Sequence, residues 1–351
     1  MDFQFLQRGI TYPYVVISDI HVHNWSAFSH TNERGLNNRL QHILDAIEEA
    51  TTALLRAGGR DLVITGDLFH TRGKLAPSVF NPTFELFQNL AARGIRVHCI
   101  PGNHDLEGKH ADRLGNAIAT LTTIPSFYVY DKPTIVDEKF LFIPWFEESM
   151  EVLNLATKST TLFSNLTVFC HVGLSGVMKS NIGNVLNADD FLKQDIKYVF
   201  SGHFHNHVAF DARVYSVGSL THQTWSDLGS IAGYLLVTEE KVTQHETAAP
   251  KFVLLPEDCF GIGKFHPPSY VRITGEETEE SITELREICL KNGAIAVQDL
   301  STRPTMIEKK AVRAVDIDLG LDSAIEAYCK NTFGERWSEI LKEAQEVKNA
   351  L

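Results

Sequence analysis

The chain has 351 residues, 44% of them hydrophobic, and a formal net charge of −12. Its length predicts two domains on a prior of ~150 residues each, and the apolar content is enough for a sizeable core. The acidic balance excludes a protein that coats nucleic acid through a general positive surface, but not one that works through bound cations or a small basic strip.

Cys99, Cys170, Cys259, Cys289 and Cys329 are scattered, odd in number and free of any CxxC pair, which predicts reduced thiols. No run approaches the ~20 apolar residues of a membrane span. The first residues lack the basic-then-apolar pattern of a leader. The expected location is therefore the cytoplasm, that of the host if the source is a phage.

Taken in order, Tyr14 to Ser18 is a β-branched run ending at Asp19 and predicts a buried strand. From Glu33 to Arg56, Leu36, Leu40, Ile43, Leu44, Ile47, Leu54 and Leu55 recur at helical spacing, and Gly58-Gly59 closes the helix. Leu62 to Ile64 predicts a second strand entering Gly66-Asp67, Ser78 to Arg93 a helix, and Ile95 to Ile100 a third strand entering Gly102-Asn103-His104-Asp105. Polar residues thus stand repeatedly at the carboxyl ends of strands, where α/β sheets bind ligands.

Short strands follow at close spacing from Phe127 to His245, with a helix over Glu147 to Thr157. They predict a mixed sheet stacked on the first one. A cluster of Gly261, Gly263, Pro267 and Pro268 marks a boundary. The expected domains are 1–258 and 269–351. In the second, Tyr270–Thr274 reads as a strand, Thr278–Lys291 as a helix, Ala294–Gln298 as a strand, and charged helices run from Asp322 to the end. Ile325, Tyr328, Phe333, Trp337, Ile340, Leu341 and Ala344 form an apolar stripe there, suited to a partner's groove or to packing on its own domain.

Five motifs carry the chemistry: Asp19-Ile20-His21, Gly66-Asp67, Gly102-Asn103-His104, His171 and Ser201-Gly202-His203-Phe204-His205. A lone Asp after a strand is usually a turn or cap, and a lone pair of histidines is usually a surface or core feature. Five such motifs, each just past an apolar run, are not explained that way. They carry the carboxylate, amide and imidazole donors of a two-metal phosphoesterase site. Two divalent ions ~3.5–4 Å apart clamp a phosphate and activate water. Manganese or iron accept such mixed donors, and no thiolate cluster points to structural zinc. His30, His42, His98, His110, His222, His245 and His266 read as surface or structural.

In order and spacing the set resembles the calcineurin-like metallophosphoesterase superfamily, from the N-terminus to about Leu255. The resemblance implies a two-sheet α/β sandwich flanked by helices, followed by a smaller C-terminal α/β capping domain. It further implies one metal held by Asp19, His21 and His205, another by Asn103, His171 and His203, and Asp67 bridging them. His104 would contact the phosphate and act as general acid on the leaving oxygen. His70 stands where the superfamily's protein phosphatases carry aspartate. It would contact substrate, or be a turn residue without chemistry. His23, two residues beyond His21, reads as a supporting or structural residue.

A narrower resemblance is to the SbcD-type nucleases of DNA double-strand-break repair, including the T-even phage recombination nuclease subunit. It rests on Gly66-Asp67-Leu68-Phe69-His70, Tyr128 to Pro133, Ile143-Pro144-Trp145, Ser201 to His205 and Ser216-Val217-Gly218-Ser219. It implies a DNA exonuclease and endonuclease subunit with two divalent ions, expected to be manganese, that works as a homodimer with an SMC-like ATPase of the SbcC type. Arg72, Lys74, Lys109, His110 and Arg113 flank the motifs as candidate DNA contacts. One rival is a phosphomonoesterase or cyclic-nucleotide phosphodiesterase of the same superfamily, which has little need of the segment after Pro268. The other is a scaffold that lost its metals, although every ligand is present.

Overall fold

The structure is a computed structural model that describes residues 2–108, 115–178, 184–255, 264–265, 267–275 and 277–302, and in the last stretch 326, 329–330 and 336–342. Contacts divide the chain into two compact units, Met1–Thr302 and Arg303–Leu351.

In chain order the first unit runs β1 (Gln4–Leu6), β2 (Tyr14–Ile17), α1 (Asn38–Arg56), β3 (Asp61–Ile64), α2 (Pro77–Ala92), β4 (Arg96–Cys99), β5 (Phe127–Val129), β6 (Thr134–Val136) and β7 (Phe140–Ile143). It continues through α3 (Ser149–Thr160), β8 (Leu166–His171), β9 (Gly173–Leu174), β10 (Val185–Leu186), α4 (Ala188–Leu192), β11 (Ile196–Gly202), β12 (Val208–Phe210), β13 (Val214–Ser216), β14 (Gly233–Val237) and β15 (Val242–Glu246). It closes with β16 (Lys251–Leu255), β17 (Ser269–Ile273), α5 (Glu279–Lys291) and β18 (Ala294–Asp299).

Two large sheets stack face to face. One has six strands in the order β15-β14-β2-β3-β4-β5, and the other seven in the order β1-β6-β7-β8-β11-β13-β12. The period-2 rule explains why the central strands are apolar throughout. Along β2, Tyr14 and Val16 enter the layer between the sheets with Phe140, Phe142, Phe169 and Phe200. Val15 and Ile17 face outward onto α1 and α2, joining Leu40, Ile47, Phe87 and Leu90. On the far side Leu141, Val168 and Val199 pack with Val152, Leu155 and Phe191 of α3 and α4. This is the expected sandwich flanked by helices.

The structure corrects the reading in detail. α1 starts at Asn38 rather than Glu33, because Gly35 takes a left-handed φ of 77° and the Asn37 side chain caps Arg39 and Leu40. β5, β14 and β15, expected in the second sheet, belong to the first, where β14 lies antiparallel to β2. β1 and α4 were not legible in the sequence. Lys251–Leu255, expected inside the first domain, pairs in parallel with β17 as the edge of a three-stranded sheet β16-β17-β18. That sheet packs Val271, Ile273 and Val297 against Ile282 and Cys289 of α5.

In the last unit, residues 337–342 are helical, and Lys330 pairs with Glu326 at 2.6 Å. The rest of the predicted stripe, with Lys109, His110, Arg113 and His266, lies outside the described residues. Among the described residues no helix is long and apolar enough to cross a membrane.

Candidate metal centre

β2, β3 and β4 are parallel neighbours in one sheet, and β8 and β11 are parallel neighbours in the other. Their carboxyl ends present Asp19 and His21, Asp67, Asn103 and His104, His171, and His203 and His205. All seven predicted metal ligands, with His104 and His70, come to one place. Asp67 is at its centre. Its Oδ2 is 3.6 Å from His21 Nε2 and 3.4 Å from His171 Nε2.

Three groups of side chains bring ligand atoms within 4.8 Å of one another: Asp19 with His21 and His205, Asp19 with Asp67 and His171, and His21 with His70 and His104. Asn103 gathers two imidazoles, its Oδ1 lying 3.1 Å from His171 Nε2 and 3.0 Å from His203 Nδ1. The donors are carboxylate, amide and imidazole, without a thiolate. That set fits hard or borderline divalent cations.

The backbone is bent to make this convergence. Asp19, His21, Asp67 and His203 all have positive φ, between 46° and 108°. Non-glycine residues avoid that region, and such strain gathers at functional sites. The motif glycines answer close approach. A Cβ on Gly66 would strike the His171 ring, and one on Gly102 the Asp67 carboxylate.

Hydrogen bonds fix which ring nitrogen is available. The Thr65 carbonyl lies 2.8 Å from His171 Nδ1 and accepts its N–H, turning Nε2 to Asp67. The Asp227 carboxylate, 2.7 Å from His205 Nδ1, does the same for His205. His203 N–H donates to both oxygens of Asp19, at 3.1 and 3.0 Å, while Ser18 Oγ donates to Oδ2 at 2.6 Å. His104 N–H donates to Asp67 Oδ1 at 2.8 Å, and its Nδ1 lies 2.6 Å from the His70 carbonyl. His104 Nε2 is left for another partner.

His70 bridges two neighbours. Its Nδ1 is 3.3 Å from His21 Nδ1, and its ring stacks on His104 at 5.3 Å. Beyond the substrate contact or inert turn that the sequence offered, its ring touches both His21 and His104.

The electrostatics are those of a crowded, water-poor site. Burial and then the neighbouring imidazole push His203 and His70 down to about 4, the neighbours being His171 and His104 respectively. Burial works against protonation of His171, but the Asp67 carboxylate overrides it and lifts the ring to about 9. Burial raises Asp19, and the Asp67 charge adds to the rise. Two buried carboxylates among this many imidazoles repel one another, and divalent cations would relieve that repulsion.

Two supporting carboxylates had no role assigned from the sequence: Asp105, read only as the end of the Gly102–Asp105 motif, and Asp227, outside every motif. Asp105 is buried and accepts from Phe69 N–H and Gly102 N–H, both at 2.9 Å, tying two ligand loops together. Asp227 accepts from Gln223 N–H and Thr224 N–H, both at 2.8 Å, as the acid of a capping box begun by Thr224. Thr224-Trp225-Ser226-Asp227 is legible as that box. Only the fold brings it to His205. Gln223 also donates to the Asp19 carbonyl at 2.7 Å, and Arg39 holds the loop through the Gln223 carbonyl at 2.6 Å.

A sandwich with carboxylates and imidazoles converging at its strand ends defines a metal-dependent hydrolase. The profile of the calcineurin-like phosphoesterases matches residues 12–207, which take in every one of these ligands, and the chain belongs to that family. It is therefore a hydrolase of phosphate esters, as the motifs implied.

The narrower resemblance also has a counterpart. Exonuclease subunit 1 of Enterobacteria phage T4 is 31% identical over 207 residues, which are 56% of this chain and 58% of that relative. The match thus spans less than two thirds of the relative's length. Two solved structures are more distant. A nuclease from Pseudomonas putida is 15% identical over 66% of this chain and 87% of its own, with a TM-score of 0.29. A dimetal phosphatase from Danio rerio is 12% identical over 68% of this chain and 96% of its own, with a TM-score of 0.36. At those scores neither likeness bears on function.

Proposed function

We propose that the chain is a DNA nuclease subunit that hydrolyses phosphodiester bonds with two divalent ions, manganese being the expected metal, in DNA repair and recombination. The observation that carries this reading is the position of Asp67 Oδ2 between His21 Nε2 and His171 Nε2, at 3.6 and 3.4 Å. A carboxylate between two separate donor sets is suited to bridge two ions. Asp19, His21 and His205 would hold one, and Asn103, His171 and His203 the other. When bound, such a pair supplies charge stabilisation on the phosphate and an activated water.

The protein's own groups supply the rest. With Nδ1 facing the His70 carbonyl, His104 presents Nε2 toward the leaving oxygen, the nitrogen through which it would act as general acid. His70 keeps the His21 and His104 rings in place. Asp227 holds His205 in the tautomer that frees Nε2.

The name of the T4 relative, an exonuclease subunit, supports DNA as substrate and assembly with other chains. On that reading the protein works in the cytoplasm as a homodimer with an SbcC-type ATPase, the small sheet and the residues beyond it forming a capping and partner-binding region. The test is incubation of purified protein with manganese and plasmid DNA, with and without a chelator. Nicking or degradation that requires manganese is expected. Intact plasmid in both arms, with turnover of phosphomonoesters instead, would overturn the nuclease reading.

A further inference from the structure

A groove of about 460 Å³ opens beside the histidine cluster, lined among others by His23, Thr71, Lys74, Leu75, Ala76 and Val79. Its volume falls within the ~300–1,000 Å³ of small-ligand pockets, and its make-up is that of such a pocket: mostly apolar, with a few polar groups. One ring, that of His70, stands between it and the site. His23 lies 5.0 Å from His70, which lies 5.2 Å from His21 and 5.3 Å from His104. Thr71 Oγ1, 3.4 Å from His23 Nδ1, steadies that ring. Among the described residues, no acid pairs with the exposed Lys74.

We infer that this groove seats the nucleobase of the nucleotide whose phosphate is cleaved, with His23 offering its ring for stacking and Lys74 its charge to the neighbouring backbone phosphate. The inference rests on the phosphodiesterase reading and adds a subsite to it. A base is flat, with an apolar face and a polar edge. An aromatic ring above apolar side chains, with a hydroxyl and an ammonium at hand, meets each of those features. Stacking of this kind tolerates any base, because every base has a π-face.

The test compares two esters with one leaving group on the manganese-loaded, full-length protein: thymidine 5′-(p-nitrophenyl phosphate), which carries a base, and methyl p-nitrophenyl phosphate, which does not. Ala76 is exposed and outside the catalytic groups, so Ala76→Trp fills the groove from its rim. The variant is expected to raise KM for the thymidine ester on the order of ten-fold or more, the worth of a stacked base, and to leave the methyl ester unchanged. His23→Ala is expected to have the same selective effect, and His23→Phe, which keeps a ring, to restore binding. This pair decides the matter if the tryptophan variant does not fold. Equal effects on both esters, or none on the thymidine ester, would overturn the subsite alone. A wild-type protein inactive on both esters would overturn the phosphodiesterase reading, and the subsite with it.

Discussion

His205 Nδ1 lies 2.7 Å from the buried Asp227 carboxylate, so a loop outside every recognised motif decides which face of this imidazole is offered to a metal. Partners of this kind are typically worth ~10–100-fold in metal affinity or activity. Asp227→Ala is expected to weaken manganese binding by that factor. Asp227→Asn, which still accepts from Nδ1, should recover part of it. Calorimetric titration with manganese checks this, and an unchanged affinity in the alanine variant would make the contact merely structural.

The small sheet bears on the same loop. Arg272 of β17 stacks over Trp225 at 3.7 Å, and Phe252 of β16 meets that ring at 4.7 Å. A cation over an aromatic face contributes ~0.5–2 kcal/mol. Arg272→Ala is therefore expected to loosen residues 224–227 and lower manganese affinity in the direction of Asp227→Ala, by less. Hydrogen exchange across this loop is the readout. Protection equal to wild type would disconnect the sheet from the site.

For His104→Ala the expected outcome is retention of metal and loss of turnover by roughly 10²–10⁴-fold, the usual worth of a positioned acid. Its ring also belongs to a group with His21 and His70. A manganese-loaded crystal structure separates the roles, since an imidazole nitrogen within ~2.2 Å of an ion is a ligand and not an acid.

Away from the site, Asp61 is fully buried and paired with Arg96 at 2.6 Å and His98 at 3.0 Å. Burial alone would raise its carboxyl, but the bonds from His98 and Arg96 prevail and hold it below its ordinary value. A depressed carboxylate contributes stability that is present above the unfolded pKa of ~3.9 and lost as pH falls through the folded value. Asp61→Asn is expected to cost about 3–5 kcal/mol at pH 7, the range for breaking a buried pair. The gap from wild type should narrow as pH falls below about 4. Denaturant melts at pH 7 and pH 3 check it. A gap that does not change with pH would rule out the charge as its source.

The sandwich and its ligands were legible in the sequence because each depends on a local signal. Val15, Val16 and Ile17 announce a buried strand, and Asp19 follows it at the end where α/β sheets bind ligands. The membership of β14 was not legible. Gly233–Val237 looks like any short apolar strand, and only its antiparallel register with Tyr14 to Val16 places it in the first sheet. Asp227 was hidden for the same reason, since its capping box is local but its 2.7 Å contact with His205 spans 22 residues. The left-handed backbone at Asp19, His21 and Asp67 has no residue signature either, because side-chain convergence imposes it on residues that ordinarily avoid it.

Native mass spectrometry of the manganese-loaded protein and its Asp67→Ala variant tests the central claim most directly, because Asp67 Oδ2 lies between His21 Nε2 and His171 Nε2, one from each proposed ligand set. The account predicts two ions per wild-type chain and none, or nearly none, in the variant. A variant that keeps both ions would contradict the bridging role of Asp67, and a wild-type chain that binds only one would contradict the two-metal site itself.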